Sequence, residues 1–155
     1  MLLYFESPEQ LDLTQLLCVY RESLESGNLF SSTQEFYDYW SRDFFSQTGV
    51  SCAVWEEDGV YISAMCLEPY RDGLLVTALE TRHEERGRGM AGKLISAVLQ
   101  RLKSDDDLKI YSHIQRRNIP SLRLHKSCGF SFCSDHAVFL DGSISRNYDT
   151  YLLKV

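Results

Sequence analysis

Between residues 84 and 92 the chain reads Glu84-Glu85-Arg86-Gly87-Arg88-Gly89-Met90-Ala91-Gly92, and an amphipathic pattern starts directly behind it. Glycine at the mouth of a helix allows close approach to the backbone, so unpaired amide N–H groups can face a ligand. A phosphate is the natural guest. The free donors and the partial positive charge of the helix start act together, the latter contributing about 0.3–1 kcal/mol and up to ~2 kcal/mol when partly buried. Arg86 and Arg88 add local positive charge, which Glu84 and Glu85 partly offset.

Two other phosphate motifs fail on these residues. Gly87-x-x-x-x-Gly92-Lys93 follows the P-loop as far as its lysine, but Leu94 stands where Ser or Thr must give a hydroxyl to Mg²⁺. The next strand also ends without a carboxylate to hold the metal. A dinucleotide fingerprint requires a parallel βαβ unit, whereas this glycine turn follows what reads as an antiparallel meander. Elsewhere, His83, His113 and His136 share no ligand spacing. The five cysteines, at 18, 52, 66, 128 and 133, form no C-x-x-C pair and suit neither a disulfide framework nor zinc. They read as reduced thiols of a cytoplasmic protein, with Cys128 and Cys133 as small buried hydrophobes rather than nucleophiles.

The elements that must position the glycine turn follow from periodicity. Met1 to Glu6 is a short apolar strand, and Ser7-Pro8-Glu9-Gln10 offers the cap, first-turn proline and capping-box Gln of a helix. Leu13, Leu16, Leu17, Tyr20 and Leu24 continue that helix until Ser26-Gly27-Asn28 stops it. Ser32-x-x-Glu35 predicts a second, aromatic helix with Phe36, Tyr37, Trp40 and Phe44 on one face. The period then changes to two. Val50 to Glu56, Val60 to Leu67 and Leu74 to Thr81 are three strands joined at Glu57-Asp58-Gly59 and Tyr70-Arg71-Asp72-Gly73. Ala91, Leu94, Ile95, Val98 and Leu102 form the apolar face of a third helix that stops at Ser104 to Asp107. Leu108 to Ile114 is a strand, Asn118 to Cys128 a short helix closed by Gly129, and Phe130 to Leu140 and Tyr148 to Val155 are the last two strands. The predicted order is βααβββαβαββ.

With 155 residues, no repeats and no linker, the chain is expected to form a single domain over 1–155. Its 44% hydrophobic and 25% charged residues exclude disordered, collagen-like and coiled-coil classes. A net charge of -6 repels nucleic acid and anionic membranes, so any anion site must be built locally. No apolar run approaches a membrane span, and the start MLLYFESPEQ lacks the basic leader of a signal peptide.

Arg86-Gly87-Arg88-Gly89-Met90-Ala91 resembles the acyl-CoA signature of the GNAT acetyltransferase superfamily, [Arg/Gln]-x-x-Gly-x-[Gly/Ala] between a strand and a helix. Leu79-Glu80-Thr81 is similar to the end of that family's acetyl-binding strand. Asn118-x-x-Ser121-x-x-Leu124-x-x-x-x-Gly129-Phe130 resembles its second CoA-contacting segment, and the element order agrees over nearly the whole chain. The resemblance implies a twisted, mixed and mostly antiparallel sheet of the α/β (α+β) class, with helices on both sides. It implies that Arg86, Gly87, Arg88, Gly89, Met90 and Ala91 cradle the CoA diphosphate. Leu79 and Thr81 would pair with the pantetheine arm like an added strand, and Asn118 and Ser121 would contact it. Where many members carry a tyrosine ahead of the Gly-Phe pair, this chain has His125.

The implied reaction is direct transfer of acetyl from acetyl-CoA, a cosubstrate, to a primary amine, with no metal. An alkyl ammonium is neutral in only about one molecule in 2,500 at pH 7, a deficit of roughly 4.6 kcal/mol. Glu80, beside the expected thioester, is the candidate base; His125 is the candidate acid toward sulfur. Phe36, Tyr37, Tyr39 and Trp40 resemble the wall of the acceptor pocket, and with Glu35 or Glu80 they suit a cationic amine. The acceptor class, small molecule or peptide, stays open. The final strands offer a surface for a homodimer. The alternative is a non-catalytic module of the same fold that binds or senses acetyl-CoA.

Overall fold

The computed structural model describes residues 1–104 and 107–155. In chain order the elements are β1 (Leu2–Phe5), α1 (Leu13–Glu25), α2 (Thr33–Asp38), β2 (Ser51–Glu57), β3 (Val60–Tyr70) and β4 (Gly73–Thr81). Then follow α3 (Met90–Leu102), β5 (Lys109–Gln115), α4 (Ile119–Ser127), β6 (Ser131–Ser134), β7 (Ala137–Val138), β8 (Ile144–Ser145) and β9 (Tyr148–Lys154). One seven-stranded sheet runs β1-β2-β3-β4-β5-β9-β6, and β7 and β8 pair as a small separate hairpin. Every pairing is antiparallel except β4 with β5, which the crossover through α3 makes parallel.

Alternation explains why both faces are covered. On β2, Cys52 and Val54 face one side, where Leu16, Tyr20, Phe36, Trp40 and Phe44 of the α1–α2 region bury them. Ala53 faces the other side and joins Met65, Leu67, Ile110 and Ile114 under Leu94, Ile95 and Val98 of α3. Burial of each large apolar side chain contributes about 1.5–3 kcal/mol. The aromatic stretch after α2 continues as one wide turn over Tyr39–Asp43 and a tight turn over Phe44–Ser46, so Trp40 and Phe44 stay inside.

Several predicted boundaries move. Helix α1 is capped by Asp12, whose carboxylate accepts the Gln15 amide at 3.0 Å; the Ser7 to Gln10 segment is instead a turn closed by Leu11 N–H to the Pro8 carbonyl. Ser32 caps α2 as expected, but the Glu35 carboxylate reaches Ser31 rather than closing the box on Ser32. Strand β3 runs on through Pro69 to Tyr70. The single strand expected over Phe130 to Leu140 is broken at Asp135-His136, where Ser134, Thr150 and Arg116 bind the exposed carbonyls and turn the chain into the β7–β8 hairpin. Asp105 and Asp106, in the predicted stop of α3, lie outside the described residues.

The feature that matters most for the site is the short contact between β4 and β5. They pair only over Gly73–Val76 and Lys109–Ser112. The turn before β4 is fastened to β5 by Asp72, which accepts from the Lys109 ammonium and, at 2.6 Å, from the Tyr111 hydroxyl. Those two bonds hold the Asp72 carboxyl down at about 2, and the same carboxylate pushes the Tyr111 hydroxyl up to about 12. Beyond Val76 the register of β4 against β3 slips, Ala78 takes a φ of +50°, and the strand leaves β5.

At Gly73 a Cβ would lie 1.9 Å from the Lys109 carbonyl oxygen. The expected outcome of Gly73→Ala is therefore a loss of roughly 3 kcal/mol, because backbone must separate where the two strands meet. Urea unfolding monitored by circular dichroism checks it; an unchanged midpoint would show that the junction tolerates expansion.

Candidate active site

The chain enters α3 through Gly87 and Gly89, at φ +77° and +75°, a region that side chains disfavour. A Cβ at either position meets nothing within 4 Å, so conformation rather than space calls for glycine. The first helical bond is Lys93 N–H to the Gly89 carbonyl at 3.0 Å, and the Arg86 amide is occupied by the His83 carbonyl. Among the described residues the amides of Gly87, Arg88, Gly89, Met90, Ala91 and Gly92 donate to nothing within the chain. Five of these six residues, with Asn118, Ser121 and Leu124, line a groove of about 640 Å³. Arg88 does not line it.

The two arginines are already engaged. Arg86 pairs with Glu22 at 2.8 Å and Glu80 at 3.5 Å, and its Nε donates to the Thr81 carbonyl. Arg88 pairs with Glu85 and, at 3.6 Å, with Glu57. The positive character of the groove comes from main-chain N–H groups at a helix start, not from guanidinium charge. His83 and Arg86, hydrogen-bonded to Glu22, pull that carboxylate below its ordinary range.

The groove continues into the gap where β4 and β5 part. Leu79, Asn118 and Ser121 line both spaces. The gap has a volume of about 640 Å³, and Phe139 and Tyr148 are among the side chains that line it. Past Val76 the outer edge of β4 has no strand beside it, so the backbone around Leu79 is open to an added partner. Asn118 caps α4, its side-chain oxygen accepting the Ser121 amide at 3.2 Å, which leaves its NH₂ as the free donor. Tyr20 fixes the bulge by donating to the Ala78 carbonyl at 2.6 Å; burial raises the pKa of its phenol, which stays neutral.

Glu80 and His125 take more constrained positions than their sequence context suggests. The Glu80 carboxylate accepts the Ser23 hydroxyl at 2.6 Å on one oxygen and faces Arg86 with the other. His125 is 2% exposed and stacks edge-on against Phe130. Its Nδ1 donates to the Ser121 carbonyl at 2.8 Å, which leaves Nε2 to accept the Ser112 hydroxyl at 2.9 Å. Burial lowers its pKa, so the ring is neutral and carries no proton at Nε2.

On the α1–α2 side a third hollow, of about 720 Å³, meets the gap at Thr77 and Ala78. Tyr39 and Trp40 of the expected aromatic wall line it, whereas Phe36 is packed in the core and Tyr37 lies outside. Four carboxylates, Glu35, Asp38, Asp43 and Glu68, also line it. Periodicity gave no sign of Glu68, which lies one residue past the expected strand end at Leu67; only the continuation of β3 brings it against Thr77 at the bulge. Burial pushes the Tyr39 phenol far up, so it too stays neutral. Among the described residues no three His, Cys, Asp or Glu side chains gather as a metal site. Among the described residues no helix is long and apolar enough to cross a membrane.

Compared with known proteins, residues 13–130 match a family model described as the Acetyltransferase (GNAT) family. A mycothiol acetyltransferase from Corynebacterium aurimucosum is 33% identical over 54 residues, 35% of this chain, which spans 18% of that protein's length. The fold is similar to a ribosomal-protein-alanine N-acetyltransferase from Brucella melitensis, with a TM-score of 0.70, 18% identity, and 100% and 98% of the two chains covered. It is also similar to the PaiA N-acetyltransferase of Thermoplasma acidophilum in complex with coenzyme A, with a TM-score of 0.66, 15% identity, and 100% and 99% covered.

Two outcomes follow from the local geometry. Gly89→Ala should cost about 1–2 kcal/mol through its positive φ, whereas Gly92→Ala, whose Cβ meets only Leu124 at 3.6 Å, should leave stability unchanged; thermal denaturation of both separates backbone strain from packing. For His125 the folded pKa lies below that of the unfolded chain, so its stabilisation is full above about pH 6.5 and is lost as pH falls toward the folded value. His125→Asn should be less stable at pH 7.5, by about 2 kcal/mol, and less sensitive to a change from pH 7.5 to 5.5. Denaturant titrations at the two pH values test this, and an undiminished pH effect would assign it to another group.

Proposed function

Since this chain belongs to the GNAT acetyltransferase family, we propose that it transfers an acetyl group from acetyl-CoA directly to a primary amine. The observation that carries the proposal is the run of free amides from Gly87 to Gly92 at the start of α3, opening onto the gap between β4 and β5. The amides of Gly87 to Ala91 would receive the CoA diphosphate, and Arg86 acts by holding Glu22 and Glu80 rather than by touching phosphate. Leu79 offers its unpaired main chain to the pantetheine arm beside Thr81, with the Asn118 NH₂ and Ser121 on the opposite wall. Acetyl-CoA supplies the thioester. The amine loses one proton before attack and a second as the amide forms, while the C–S bond breaks and the thiol of coenzyme A takes up one proton.

Glu80 and His125 are assigned as positioning residues. Ser23 and Arg86 fix the carboxylate of Glu80 beneath α1, where it locks the strand that faces the pantetheine. His125, neutral and bonded on both nitrogens, ties β5 to α4 across the gap through Ser112 and Ser121. A thiolate is a fair leaving group, so the reaction does not require an acid at His125.

Incubation with acetyl-CoA and a panel of primary amines, with free thiol followed in time, should show acceptor-dependent release. Saturable acetyl-CoA binding without release from any amine would leave the non-catalytic module. Gly89→Ala should weaken CoA binding about tenfold in calorimetry, since the strained turn misplaces the donors. Glu80→Gln should keep the shape of the pH–rate profile; selective loss of rate at low pH would make Glu80 the base.

A further inference from the structure

The hollow beneath α2 holds an imbalance of charge that the fold itself does not answer. Its four carboxylates face one guanidinium, Arg42, which already pairs with Asp38 at 3.0 Å. Glu35 is occupied by the Ser31 amide and hydroxyl. Asp43, exposed at the rim, has no side-chain partner among the described residues. Glu68 lies deepest, at 7% exposure. One of its oxygens accepts the Thr77 hydroxyl at 2.6 Å; the other has no hydrogen-bond partner, and no cation among the described residues pairs with it.

A carboxylate this buried is almost always paired, because an uncompensated charge there is costly. Trp40 lines the same hollow, and its indole N–H is the one buried side-chain polar atom among the described residues without a partner. The second oxygen of Glu68 is therefore available to a ligand, and the indole N–H is a further unpartnered polar group in the wall of the hollow. Thr77, which holds Glu68, adjoins Ala78 at the bulge where the hollow meets the gap between β4 and β5, so the unanswered carboxylate sits next to the proposed path of the thioester. A volume of about 720 Å³ is that of a small-molecule site.

Building on the acetyltransferase reading, we propose that this hollow is the acceptor site and that it takes a small amine bearing two or more positive charges. Glu68 receives the ammonium to be acetylated, and Asp43 at the rim holds a second cation. The free oxygen of Glu68 then takes one proton from that ammonium, leaving a neutral nitrogen whose lone pair forms the N–C bond as the thioester C–S bond breaks; the second N–H proton passes to the departing thiolate, giving the amide and the thiol of coenzyme A.

The test uses the full chain and three probes in calorimetry: spermidine, 1,5-diaminopentane, and n-pentylamine as the control of equal chain length with one charge. The two multiply charged amines should bind about tenfold more tightly than n-pentylamine. Asp43→Asn should erase most of that preference, and Glu68→Gln should weaken all three probes and lower kcat most at low pH, where free amine is scarcest. Equal binding of 1,5-diaminopentane and n-pentylamine, or a preference that survives Asp43→Asn, overturns the proposal. If Glu68→Gln does not fold, the rim variant still decides. Charge-selective binding without thiol release would retire the acetyltransferase reading and leave this site standing; thiol release that favours n-pentylamine would do the reverse.

Discussion

Everything in this molecule's site depends on two strands that pair and then stop pairing. β4 and β5 are hydrogen-bonded over Gly73–Val76 and Lys109–Ser112, then diverge at the bulge around Ala78. An unpaired strand edge, here half-buried over residues 77–81, is a liability that a sheet normally avoids. Here the edge is preserved because both ends are constrained. Gly73 and Asp72 bind the strands tightly on one side, while Tyr20 fastens the Ala78 carbonyl on the other. The gap is thus a rigid product of the sheet and not a loop feature, which suits a site that must hold reacting atoms in register.

The charges around this gap are distributed in an unexpected way. The chain is acidic overall, and the two arginines nearest the glycine turn are spent on Glu22, Glu80, Glu57 and Glu85. The free donors of the groove are therefore uncharged main-chain N–H groups, which retain their direction because α3 packs through Leu94, Ile95 and Val98 onto the sheet. Negative charge is meanwhile concentrated on the opposite side of the bulge, around Glu68 and Asp43. One face of the cleft offers hydrogen-bond donors and the other carboxylates, with β4 between them. That polarity is what the proposed joining of a phosphate-bearing donor to an ammonium-bearing acceptor would use.

Reading order from periodicity worked where burial follows spacing. The α3 face, the meander from β2 to β4 and the closing Gly129 all stand where the pattern places them. It failed where side chains compete for the same cap or carbonyl. Asp12 displaced Ser7 as the cap of α1, and hydrogen bonds from Arg116, Ser134 and Thr150 broke a run that reads as one strand into β6 and β7. The strand expected to end at Leu67 instead runs on through Pro69, which sits within β3 opposite Leu74.

The sequence by itself determined the family, the order of elements and the glycine turn, because these rest on local spacing that any fold of this chain must respect. Only the tertiary structure decided which charged groups remain available. Glu80 and Arg86 are six residues apart and look like partners of a ligand, yet Ser23 and Glu22, more than fifty residues earlier, claim them. Glu68 falls just past the strand predicted over Val60 to Leu67, yet the longer β3 and its slip against β4 leave one of its oxygens without a partner in the wall of a hollow. A side chain's freedom to act is a property of its neighbours in space, and pairs distant in the chain carry no local signature.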